Sequence, residues 1–206
     1  MIRGFTIIFL LLSLPMFSQD HDENISALID RYTSKLDVDC EIKIETDVEG
    51  MIVPDKIVRV KFKDNGKPKV EGKGIMLLPK KGMLNQFHDM LTSPFQAIYL
   101  SKRKDNLVYK LVSLDPNSDW ITADLEFNEN TFLVQKSIVN THNHGTFYIE
   151  HNYKTYDFPS QSVITFNVKK FKLPLKFIGR TETTSSSNSN NENVIGKVTL
   201  SYTYLD

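Results

Sequence analysis

A single cysteine in 206 residues, Cys40, is too little for an internal disulfide or for a metal site built from several thiolates, so stability has to come from packing. Glycine is scarce, at 9 residues, and the chain has no Gly-rich phosphate loop, dinucleotide fingerprint or Gly-x-Ser-x-Gly elbow. Neither sign of charge is in excess. With 25 Lys and Arg against 25 Asp and Glu, and no long basic stretch, the electrostatic footprint of nucleic-acid binding is missing. Long apolar runs are missing too: the longest, residues 5–14, falls short of the ~20 residues a membrane-spanning helix needs, so stable membrane insertion is not expected.

What is present is apolar and aromatic material, 40% and 11% of the chain with 13 Phe and 8 Tyr, enough for a real core. Met1 and Arg3, the apolar stretch 5–14, Pro15 and the small Ser18 follow one another in the order of a secretory signal peptide. The reading is therefore a removed signal at 1–19 and a single domain at 20–206.

Ile25, Leu28, Ile29, Tyr32 and Leu36 predict an amphipathic helix, with Asp22 or Asn24 as cap. The period then changes to two, with Cys40, Ile42 and Ile44 alternating against charged neighbours. Val58, Val60 and Phe62 alternate with Arg59, Lys61 and Lys63, and Asp64-Asn65-Gly66 predicts a hairpin turn leading back through Val70. Residues 75–79 read as a short strand. Met83, Leu84, Phe87, Met90 and Leu91 read as a short helix ending before Pro94. Strands are predicted at 95–101, 107–114, 119–127, 131–139, 145–154, 161–169 and 195–204, with turn residues about every ten positions, as in an antiparallel meander. The Ser/Asn-rich stretch at about 181–194 is expected to be a flexible loop.

Little here asks for catalysis. His142, His144 and His151 lie close in sequence, but His142 and His144 flank a turn, and His151 alternates in phase with Phe147, Ile149 and Tyr153 on an apolar sheet face. A catalytic zinc needs three protein ligands and no third is marked, so neither metal nor cofactor is expected. Cys40 sits at a strand-like position where a buried, inert thiol is the common state. Asp124 and Glu126 read as solvated outward carboxylates. The expectation is a non-enzyme. A curved antiparallel sheet with so much apolar side chain and two helices can enclose a cavity for a lipidic ligand, or simply a filled core.

The order of elements resembles the LolA/LolB-like fold of periplasmic lipoprotein carriers and lipoprotein-sorting proteins. The stretches that carry the resemblance are Val58-Arg59-Val60-Lys61-Phe62-Lys63 through Lys67-Pro68-Lys69-Val70, Leu77-Leu78-Pro79-Lys80, Tyr109-Lys110-Leu111, residues 121–125, Phe132-Leu133-Val134 and Gly145-Thr146-Phe147. The ending Phe17-Ser18-Gln19 before Asp20 resembles signal-peptide ends of Bacteroidetes-type Gram-negative bacteria. The resemblance implies an incomplete antiparallel barrel, mainly β, whose helical lid closes a hydrophobic cavity. It implies a non-enzymatic periplasmic carrier with lipid or lipoprotein acyl chains, and further envelope proteins, as partners. The expected lining is Val58, Val60, Phe62, Met76, Leu78, Phe87 and Met90. One departure stands out: carriers of this type have an arginine near the first hairpin turn that fastens the lid, and Lys67-Pro68-Lys69 stands there instead, without arginine's planar fork of donors. The competing expectations are a structural or sensory module with a filled core, and a histidine-based metal hydrolase.

Overall fold

The computed structural model describes residues 22–33, 38–48, 52–62, 68–71, 83–155, 158–167 and 195–205. The signal segment 1–19, the turn Asp64-Asn65-Gly66, the strand at 75–79 with Met76 and Leu78, and the tract 181–194 lie outside them. The described elements are α1 (Glu23–Thr33), β1 (Val38–Val48), β2 (Lys56–Phe62), β3 (Pro68–Glu71), α2 (Met83–Thr92), β4 (Phe95–Arg103), β5 (Asn106–Ser113), β6 (Trp120–Asn128), β7 (Val134–Thr141), β8 (Gly145–Tyr153), β9 (Pro159–Asn167) and β10 (Ile195–Leu205). The strands form one curved, antiparallel sheet in the order β3-β2-β1-β10-β9-β8-β7-β6-β5-β4, left open between β3 and β4. The mainly β, open-sheet architecture read from the sequence is the one observed.

Strands β4 to β9 follow one another as a meander, because each is joined to the next by a short turn or loop rather than a crossover, and β10 pairs with β9. The pairing of β1 with β10 is different: it joins the two ends of the described chain, with Ile42 opposite Tyr202 and Ile44 opposite Leu200. The outward face is charged. Lys61 lies opposite Asp39, Lys110 opposite Asp124 and Lys136 opposite Glu150, and each cross-strand pair forms an ion pair. Arg59 grips Asp39 through two of its guanidinium nitrogens, Nε and Nη2, at 2.8 and 2.6 Å. Such exposed pairs fix register more than they stabilise, since their worth is typically under about 1 kcal/mol.

One predicted boundary moves. Strand β7 begins at Val134 rather than residue 131, because the side chain of Asn128 captures the chain first: its Oδ1 accepts the backbone N–H groups of Asn130 and Thr131, both at 3.0 Å. The turn leaves Phe132 at a φ of 54°, a left-handed conformation a bulky residue seldom adopts. Its ring repays part of that strain by packing beside Phe127, 6.3 Å between centroids.

The inward residues fall into two groups. Helices α1 and α2 cover one half of the sheet: Ile25, Leu28, Met90 and Leu91 pack with Phe95, Leu107, Tyr109, Leu111, Trp120, Ala123, Leu125, Phe127 and Val134 from β4–β7. The second group, Cys40, Ile42, Ile44, Val58, Val60, Phe147, Ile164, Phe166 and Leu200, comes from β1, β2 and β8–β10 and includes no residue of either helix. Val139 on β7 touches both and joins them.

Candidate binding site

The helices are fastened to the sheet by phenols. Asp22 caps α1, its Oδ1 accepting the backbone N–H groups of Asn24 and Ile25 at 2.9 and 3.1 Å, so of the two predicted caps Asp22 is the one used. Its other oxygen accepts the hydroxyl of Tyr109 on β5. Burial, with the Asp22 carboxylate beside it, pushes the Tyr109 phenol up to about 12. At the other end of α1, the Tyr32 hydroxyl accepts the N–H of Val134 at 3.0 Å, and the Tyr153 hydroxyl donates to the Val134 carbonyl at 2.7 Å. Two tyrosines thus satisfy both backbone groups of one residue beside the β6–β7 bulge, where ladder bonds are interrupted. The Tyr32 ring also meets Phe87 of α2 edge-on, 4.8 Å between centroids.

Across the helix-free half the concave face is aliphatic over most of its breadth and polar along one side. His151 on β8 lies directly opposite Ser162 on β9, and its Nδ1 is 2.7 Å from the Ser162 hydroxyl. Ser162 in turn interacts by hydrogen bonding with the phenol of Tyr202 on β10. Burial alone pulls the imidazole of His151 down to about 4, so it is neutral at physiological pH. Burial likewise lifts the Tyr202 phenol to about 12 and the Cys40 thiol to about 11, which makes Cys40 a poor nucleophile.

The residues singled out from the sequence are dispersed between these halves. Val58 and Val60 are buried in the helix-free group; Met90 is buried, and Phe87 half-buried, in the helix-covered group. Phe62 ends β2 opposite Val38. The structure therefore does not bring the strand residues and the helix residues into one packed group. Among the histidines, His142 and His144 stand in the β7–β8 turn, while His151 faces inward with Phe147, as its phase predicts. Among the described residues no three His, Cys, Asp or Glu side chains form a group that could hold a metal. No described helix is long and apolar enough to cross a membrane.

Ser162 and Tyr202 were missed from the sequence. Their signal was present, since each falls in phase with inward apolar neighbours, Ile164 and Leu200 respectively, but only the strand register shows that they meet His151.

No family model matches the chain, and no curated protein matches it. Among solved structures it is similar to a LolA superfamily protein from Nitrosomonas europaea, at 9% identity and a TM-score of 0.46 over 87% of this chain and 91% of that one. It is similar to a putative outer membrane lipoprotein-sorting protein domain from Vibrio parahaemolyticus at 11% identity and a TM-score of 0.43, covering 88% and 92%. A DUF1329 family protein from Desulfovibrio piger follows at 5% identity and a TM-score of 0.41, covering 87% and 88%. The first two carry names of the kind to which the sequence resemblance led.

Proposed function

We propose that the chain is a non-enzymatic periplasmic binding or carrier protein for acyl chains of lipoproteins or other lipids, exported by a cleaved signal at 1–19. The observation that carries this reading is the divided interior of the curved sheet: one apolar group on β4–β7 packs with both described helices, and a second on β1, β2 and β8–β10 includes no residue of either. A surface of that kind is non-directional and suits a flexible hydrocarbon chain, whose binding needs area rather than placed polar contacts. Val58, Val60, Phe62, Met76, Leu78, Phe87 and Met90 are the proposed lining, with α2 as lid and the adaptable thioether of Met90 suited to chains of differing shape. The buried phenols, neutral imidazole and inert thiol on the inner side support binding rather than chemistry.

A second reading is favoured by one observation, that inner residues such as Val60 at 0% and Ile42 at 1% exposure are already covered. In that reading the interior is a filled core and the protein a structural or sensory envelope module.

Phe87→Glu separates the two. Phe87 is only half-buried, so on the carrier reading the variant keeps its far-UV circular dichroism and loses at least about tenfold in affinity for a fluorescent acyl probe, roughly 1.4 kcal/mol. A folded variant that binds like the wild type overturns the lid. A variant that no longer folds favours the filled core.

A further inference from the structure

The polar row on the helix-free half has no part in holding the fold's helices, and its chemistry is specific. His151, Ser162 and Tyr202 come from three adjacent strands, β8, β9 and β10, and interact in sequence through Ser162. Ser162 is buried, whereas His151 and Tyr202 each keep part of their surface accessible. His151 Nδ1 is engaged by Ser162, and no hydrogen-bond partner of Nε2 is seen among the described residues. Burial is what shifts His151, and among the described residues no salt bridge includes His151, Ser162 or Tyr202.

We infer that His151, Ser162 and Tyr202 form the polar-end site of the acyl ligand and take a neutral carbonyl, that of an acyl ester or amide, in preference to a free carboxylate. The inference rests on the acyl-binding reading above and deepens it. The three groups offer hydroxyl and imidazole hydrogen bonds but no cation, and a carboxylate brought there would be desolvated without a counter-ion, which is far costlier than desolvating a carbonyl. The Ser162 hydroxyl fixes the imidazole ring, so Nε2 is pre-aimed and little side-chain entropy is lost on binding. The half-buried Ile149 on β8 and Val198 on β10, packed against the same apolar group, then receive the chain.

The test compares a pyrene-labelled hexadecanoic acid with its methyl ester on the full mature chain at neutral pH. The wild type is expected to bind the ester about tenfold more tightly than the acid. His151→Phe is expected to remove most of that preference by weakening the ester alone, and His151→Gln, which keeps a side-chain donor, to restore part of it; Ser162→Ala carries the test if His151→Phe fails to fold. Equal binding of acid and ester by the wild type, or an unchanged preference in both the His151→Phe and Ser162→Ala proteins, overturns the site while leaving acyl binding intact. Binding of neither probe overturns the acyl-binding reading itself. A diacylated lipopeptide and a diacylphospholipid both present neutral esters, and displacement of the labelled ester by one but not the other identifies the source; displacement by neither overturns the proposal.

Discussion

The helix-covered half, β4–β7, and the helix-free half, β1, β2 and β8–β10, obey the same alternation of inward apolar and outward charged residues, yet they are finished differently. In the first, aromatic rings stack on one another and tyrosine hydroxyls tie helix to sheet, as Tyr109 with Phe127 at 5.6 Å and Tyr109 with Asp22 show. In the second, the inner surface is largely aliphatic, and its polar groups bond to each other across strands rather than to a helix. The lesson is that alternation makes a face, whereas the placement of hydroxyls decides where a helix is tied to it.

The largest expected effect lies in the covered half. Leu28 is fully buried in the helix–sheet interface, so Leu28→Ala should cost about 3 kcal/mol by lost transfer energy plus cavity, read from urea unfolding, with acyl-probe affinity unchanged. An equal loss of affinity would erase the distinction between the halves. The next effect belongs to the other half and depends on pH. Because the folded pKa of His151 is depressed to about 4 from 6.5, the unfolded chain binds its proton first, so stability falls as pH drops below 6.5 and goes on falling until about 4. Acidification from pH 7 to 5 should therefore cost the wild type about 2 kcal/mol more than it costs His151→Gln; parallel losses in the two proteins would mean the imidazole is not held neutral.

Tyr153→Phe removes the donor to the Val134 carbonyl and should lower stability by about 1 kcal/mol, with weaker hydrogen-exchange protection at α1 than at β10. Uniform loss of protection across the sheet would show that the phenol serves the whole fold rather than the helix attachment. The smallest effect is expected outside both cores. Arg59, with Lys61, holds the Asp39 carboxyl below its usual range, so its contribution is complete above about pH 4 and fades as pH falls through the lowered value. Asp39→Asn should shift the melt only slightly, and less still in high salt, because the pair is exposed.

The local part of this architecture was legible in the sequence. The stripe from Ile25 to Tyr32 gave α1, Asp22 its cap, and period-two alternation gave each described strand to within a few residues, because these signals live in neighbours along the chain. The start of β7 was missed because one side chain, Asn128, outweighs the β-propensity of Phe132 and Leu133. The β1–β10 pairing and the arrival of Tyr202 beside Ser162 were not legible, since they depend on register between segments far apart in sequence, and the meeting of His151 with Ser162, only 11 residues apart, depended on the register of one hairpin that the sequence left open. For the same reason Val58 and Phe87 looked like parts of one surface in the sequence, although each belongs to a different half.

The central claim, that the helix-free concave face holds an acyl ligand, is tested most directly by native mass spectrometry of the protein purified under gentle conditions from the cells that export it. The account predicts a mature chain beginning near Asp20 that carries one ester- or amide-linked acyl lipid, released by organic solvent. A folded protein found only at its bare mass, and still bare after incubation with excess acyl ester, would contradict it.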